Sequence, residues 1–193
     1  MKKAILSLLI VFICGKVFCQ QTPYTLPLPA KRGSEKIPFP ISFAPGIPFK
    51  GMEELRFTPD WNNASKNDYW SYTFLWFIEG KPQLNNKVLQ NYMAEYFNGL
   101  YRSNSKIKPV GNFTKAKFQK IKVMKDDQET YQGTISTLNF LTGKPIEFYV
   151  KIHARNYPHT NHSALMYELS PKHYTNKVWL KLSEIVKGFE YKN

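Results

Sequence analysis

The stretch from Tyr69 to Gly80, Tyr-Trp-Ser-Tyr-Thr-Phe-Leu-Trp-Phe-Ile-Glu-Gly, constrains the fold most, and it carries two of the chain's four tryptophans. Tyr69, Trp70, Tyr72, Phe74, Leu75, Trp76 and Phe77 place apolar or aromatic groups on both parities. A helix of this make-up would be aromatic on every side, whereas a short run of strand formers suits a β-strand. Gly80-Lys81-Pro82 stops the run. The expectation is a central strand, Tyr69–Ile78, covered on much of both faces. The rest of the chain must then supply the covers.

The first cover is the proline-rich entry. Seven of the thirteen prolines fall between Thr22 and Lys50, a spacing that prevents helix and central strand and favours extended chain. Residues 20–36 are polar and basic and read as a flexible tether. Ile37, Phe39, Ile41 and Phe43 then alternate, as in an extended arm laid on an apolar surface. The second cover follows Pro82. Leu84, Val88, Leu89, Tyr92, Met93, Tyr96, Phe97, Leu100 and Tyr101 recur at three- and four-residue steps, with Asn85 or Asn86 placed to cap an amphipathic helix.

Glu54-Leu-Arg-Phe-Thr reads as a short strand before the aromatic one, joined to it by a polar loop that contains Trp61. Beyond the helix, strands are expected over Phe118–Met124, Tyr131–Phe140, Ile146–Ala154 and Ala164–Leu169, with Gly143 turning a hairpin between the second and third. Asn176 is placed to cap a terminal helix with Val178, Trp179, Leu182, Ile185, Val186 and Phe189 on one face. The sum is an α+β fold: one layered domain over residues 37–193, mainly antiparallel sheet packed by two amphipathic helices, with an extended N-terminal arm.

Residues 1–19 read as a signal peptide. Lys2 and Lys3 precede an apolar run, Ala4 to Ile13, of about ten residues, too short to span a bilayer, and cleavage is expected near Cys19-Gln20. Bulky Phe18 argues against the alternative in which Cys19 is acylated as a lipoprotein anchor. The product is therefore expected to be exported, to the periplasm or beyond the cell. Both cysteines lie in the leader, so the mature chain offers no disulfide, no thiolate nucleophile and no cysteine-ligated zinc. Three of the 27 Lys and Arg residues (Lys2, Lys3 and Lys16) leave with it, and 24 remain against 14 Asp and Glu. That excess favours an anionic envelope component or glycan as partner. Export argues against genomic nucleic acid.

Candidate chemistry is sparse. The chain has no Gly-x-Ser-x-Gly elbow, P-loop, His-Glu-x-x-His or dinucleotide fingerprint, and nothing calls for a cofactor. His159 and His162 have spacing that brings two imidazoles to one ion, and His153 on the neighbouring strand makes a third candidate metal ligand. Glu79 closes the aromatic strand beside the core, where burial would raise its pKa as in a general acid. Trp61 is the candidate for stacking on a ligand. Lys120 and Lys122 are expected on one strand face as a stripe for phosphate or sulfate groups, or as charges that block edge pairing. Glu53 and Glu54, being sequential in a strand, point to opposite faces and cannot form a catalytic pair.

Gly51-Met-Glu-Glu-Leu-Arg-Phe-Thr-Pro-Asp-Trp followed by Asp68-Tyr-Trp-Ser-Tyr-Thr-Phe-Leu-Trp-Phe-Ile-Glu-Gly resembles a pattern in a family of small exported bacterial proteins with a proline-rich entry. The resemblance covers roughly Ile37 to Gly80; it implies export and no particular activity. The order of elements is also loosely similar to the α/β sandwich of PsbP-like and Mog1-like proteins, a likeness of architecture that does not fix function. Taken together, the sequence is expected to encode an exported, non-enzymatic binding or accessory protein of the bacterial cell envelope. The alternatives are a hydrolase with a site near the His-bearing loops and a polyanion-binding protein.

Overall fold

The computed structural model describes residues 22–192. The expected signal peptide, its cleavage point and the acylation alternative at Cys19 lie outside the described residues. The chain forms β1 (Tyr24–Thr25), β2 (Ser34–Pro38), β3 (Gly51–Phe57), β4 (Tyr72–Glu79), α1 (Asn86–Asn104), β5 (Lys115–Lys120), β6 (Glu129–Leu138), β7 (Pro145–Tyr157), β8 (His162–Ser170), α2 (Val178–Lys187) and β9 (Glu190–Tyr191). Seven strands make one sheet in the order β2-β3-β4-β8-β7-β6-β5, and every neighbouring pair is antiparallel. β1 and β9 form a separate two-stranded ribbon. The fold is α+β, with one helix on each face of the sheet.

Side-chain parity sorts the two faces. On the α1 side, Tyr72, Phe74, Trp76 and Ile78 of β4 share a core with Leu165, Tyr167 and Leu169 of β8, and with Phe148, Val150 and Ile152 of β7. α1 presses Leu89, Met93, Tyr96 and Phe97 onto that layer. Asn85 starts the helix by accepting the Val88 N–H at 3.0 Å. The arm completes the cover, with Phe39, Ile41, Ala44 and Ile47 buried in the same core. The arm crosses α1 at Gly99, where any Cβ would collide with the Phe43 carbonyl oxygen. On the other side, Leu75 and Phe77 of β4 meet Ala164 and Met166 of β8 beneath Ile185, Val186 and Phe189. Asn176 helps start α2 through its Oδ1, which accepts the Val178 N–H at 2.9 Å.

Three expectations need correction. The tether over 20–36 is not loose from Tyr24 onward: β1 pairs with β9, β2 pairs with β3, and Tyr24 and Leu26 are buried. The reason lies on β3. Glu54 accepts the Tyr24 hydroxyl at 2.9 Å, and Arg56 donates to the carbonyls of Leu26 and Pro27. Second, the aromatic strand begins at Tyr72, because Trp70 adopts φ +51° in the turn before it. Third, the lysine-bearing strand runs Lys115–Lys120 instead of Phe118–Met124, since β5 must match β6 from Ser136 to Tyr131. No helix among the described residues is long and apolar enough to cross a membrane.

Candidate functional site

The loop between β3 and β4 is held in one shape by its backbone. Thr58 donates its hydroxyl to the carbonyls of Asp68 and Ser71, at 2.9 and 2.7 Å. The Trp70 N–H bonds to the Trp61 carbonyl at 2.6 Å, and Asp68 accepts from Lys181 of α2 at 2.6 Å. This clamp keeps Trp70 in the left-handed region, which costs a bulky residue about 1–2 kcal/mol. Strain of this kind persists only where the surroundings over-determine it, and it concentrates at binding and catalytic sites.

Trp70 and Trp61 line a cavity of about 470 Å³ on the α1 side of the sheet. Its floor is Leu55 and Phe57 of β3 with Tyr72 of β4, and its walls are Phe43 of the arm, Tyr96 and Leu100 of α1, and Phe140. The rings hold one another at set angles. Trp61 lies 4.7 Å from Phe57, and Trp70 meets Trp61 and Phe140 edge-on at 5.8 and 5.0 Å. Polar groups at the cavity are few, with Glu35 and Asn104 at its edge. An apolar concavity of this size with a few polar atoms is the usual form of a small-molecule site.

Behind the cavity sits Glu53, which is fully buried. Tyr96 donates its hydroxyl to Glu53 Oε1 at 2.8 Å, while Oε2, the Trp76 indole N–H and the Tyr167 hydroxyl have no protein partner. Burial is the largest influence on the Glu53 carboxyl and, outweighing the bond from the Tyr96 hydroxyl, pushes its pKa up to about 8. The raised value favours the uncharged form of Glu53 at neutral pH.

The opposite face of the sheet holds a second cluster. His153 of β7 is 2 % exposed; its Nδ1 lies 2.8 Å from Asp127 Oδ2 and its Nε2 3.7 Å from Glu168 Oε2. Arg155 donates its Nε to Asp127 Oδ1 at 3.0 Å, and Thr130 donates to Oδ2 at 2.8 Å. A cavity of about 300 Å³ adjoins the group, bounded by Ser183 and Val186 of α2 and by Met124. Burial, the largest influence on His153, pulls its pKa down, but the bond to Asp127 and the nearby carboxylates of Asp127 and Glu168 outweigh it and hold it raised. Burial likewise works upward on Asp127, and the bonds from His153, Thr130 and Arg155 outweigh it and hold it low. The arrangement therefore favours an imidazolium over a general base. The Ser183 hydroxyl is engaged at 2.7 Å with the Trp179 carbonyl, so it is not aligned as a nucleophile.

The residues singled out from sequence scatter accordingly. Trp61 lies at the cavity. Glu79 is exposed at the end of β4, so the acid whose pKa burial raises is Glu53 instead. Glu53 and Glu54 do point to opposite faces, toward Tyr96 and Tyr24. Lys120 points to the α1 side with Phe118 and pairs with Glu129 at 2.6 Å, whereas Lys122 follows the strand's end, so the two form no strand-face stripe. His153 is taken up by Asp127; His159 is exposed in the short turn Pro158–Thr160; His162 stacks on Phe77 at 4.9 Å. Among the described residues no three His, Cys, Asp or Glu side chains converge as a metal site.

From sequence, Trp70 reads as a strand residue and Glu53 only as half of a catalytic pair that the strand forbids, while Glu168 has no assigned role. For two of them the signal is visible: Glu53 shares parity with Leu55 and Phe57, and Glu168 interrupts the apolar run of the last strand. In comparisons with known proteins, the chain matches no family model, no curated protein and no solved structure.

Proposed function

We propose that the protein is an exported, non-enzymatic binding protein of the bacterial cell envelope that holds a small, largely apolar or aromatic molecule in the cavity between β3, α1 and the arm. Kinship with small exported proteins belongs to the same proposal. The observation that carries it is Trp70: a buried aromatic residue held at positive φ by a clamped loop and lining an aromatic concavity. The rings supply apolar area, and Glu35 and Asn104 at the edge supply the polar contacts. The clamp means that little ordering entropy remains to be lost when the ligand enters.

The test uses the neutral fluorescent probe N-phenyl-1-naphthylamine. Its emission is expected to rise and saturate on titration with wild-type protein. Asn104 is exposed at the cavity edge, so Asn104→Trp fills the entrance without disturbing the core. It should weaken probe binding at least tenfold, and Trp61→Ala should weaken it as well. Unchanged affinity in Asn104→Trp would end this reading.

The second reading is a hydrolase acting from the His-bearing loops. On its side stands the Asp127–His153 pair beside the smaller cavity. Its raised pKa casts His153 as a proton donor. Turnover of nitrophenyl esters or glycosides by wild type, lost in His153→Asn with the fold retained, would favour it over the binding reading.

A further inference from the structure

α2 covers only part of its side of the sheet. It packs over β4 and β8, and beyond it β7, β6 and β5 present an open face. Phe118, Val150 and Phe148 are buried on the α1 side, so the alternate residues of the same strands face out. Strand register sets these residues in rows. Lys115, Ser136 and Glu147 form one, Lys117, Thr134 and Tyr149 the next, and Gln119, Gln132 and Lys151 the third.

A groove of about 250 Å³ runs between the two inner rows and Tyr174. Tyr174 is fixed in place by the sheet itself: its hydroxyl sits 2.8 Å from the Gly133 carbonyl and 3.0 Å from the Val150 carbonyl. Tyr149 meets the Tyr174 ring edge-on at 5.2 Å, and Lys151 stands 5.6 Å from its centroid and 5.3 Å from that of Trp179. The two rings therefore form one wall, with Lys151 beside it against Tyr174 and Trp179. Hydrogen bonds among the described residues leave the Gln119 and Gln132 amides, the Thr134 hydroxyl and the Lys117 ammonium unused on the floor.

From this geometry we propose that the groove binds an acidic oligosaccharide. The charge complementarity is direct. Lys115, Lys117 and Lys151 lie on the rows, and the single acid among them, Glu147, already accepts the Ser136 hydroxyl at 3.0 Å. An amide that donates and accepts at once matches neighbouring sugar hydroxyls, and a tyrosine ring offers its face to the C–H side of a sugar ring. Lysines pair with the carboxylate or sulfate groups. Three strands and three rows span roughly 10 by 13 Å, room for two or three sugar rings. The site lies on the opposite face from the aromatic cavity and stands without it.

Calorimetric titration of the full mature chain with a heparin tetrasaccharide and a galacturonic acid trisaccharide tests the proposal, with neutral chitotriose and a DNA oligonucleotide as comparisons. At least one acidic sugar is expected to bind. Lys117→Glu should weaken it at least tenfold, and Gln132→Ala severalfold with an unchanged salt dependence. Exposed Lys106→Glu, outside the groove, should leave affinity within twofold. Equal losses in Lys106→Glu and Lys117→Glu, an unaffected Gln132→Ala, tighter binding of DNA, or no binding of either acidic sugar would each overturn the assignment. Binding of N-phenyl-1-naphthylamine reads the other face, so failure here is distinguishable from failure of the cavity proposal.

Discussion

Among the described carboxyl groups, Glu53 departs furthest from its ordinary state. Its pKa is raised in the folded protein to about 8, so the neutral form stabilises the fold. That contribution is fully present below the unfolded carboxyl value and is lost as pH rises through the folded one. Between those limits one proton's linkage costs roughly 1.4 kcal/mol per pH unit. Glu53→Gln should remove this slope, so that the variant gains stability relative to wild type as pH rises from about 5 to 8. Urea unfolding across that range measures it; parallel curves for the two proteins would contradict the account. The placement of Glu53 was legible in principle, since an acid on the parity of Leu55 and Phe57 in a short strand has to face the core. The Asp127–His153–Glu168 group was not, because its members come from a turn and two strands, and only the β7–β8 register brings the last two together. Trp70 was legible as an aromatic residue and illegible as a turn residue, because nothing in its neighbours announces positive φ. The clamp from Thr58 and Asp68 imposes it.

At the scale of elements, β4 and the N-terminal strap make contrasting predictions. Phe74 and Trp76 are fully buried between β8 and α1, so replacing either with Ala should cost about 3–5 kcal/mol and unfold much of the population at moderate temperature. Folded, stable variants would show that the strand is not the core. Arg56 is nearly as buried and ties the strap to the sheet, with Glu54 beside it. Arg56→Ala removes the buried cation beside Glu54, leaving it the Tyr24 hydroxyl and half-exposed Lys36, and frees the strap's carbonyls; it should destabilise the fold and open the 22–33 segment to proteolysis before the sheet unfolds. Cleavage kinetics followed by mass spectrometry separate that order from global unfolding. The main strands, both helices and the Gly143 hairpin could be read from periodicity and capping. The strap could not. Its backbone is recruited by buried Arg56 and Glu54, whose burial depends on how β3 sits in the finished sheet, and the residues between its prolines look like a linker on their own.

For the molecule as a whole, one sheet carries two faces of different chemistry. The α1 side is an aromatic layer closed by the arm and opened at one cavity. The α2 side is divided between an apolar cover over β4 and β8 and a basic, amide-bearing surface over β5 to β7. The excess of lysine over acid is thus not spread evenly in meaning: Lys120 and Lys181 are paired structurally, and Lys115, Lys117 and Lys151 share the open face. Ligand binding in the aromatic cavity, as proposed, would be reported by the four tryptophans individually. The direct measurement is the set of four indole N–H signals in a nitrogen–proton correlation spectrum, assigned by Trp→Phe variants and followed during titration with N-phenyl-1-naphthylamine. Saturable shifts are expected at Trp70 and Trp61, with Trp179 on the other face unmoved. Saturable shifts at Trp179 alone, or none at Trp70 while the probe binds, would contradict that proposal.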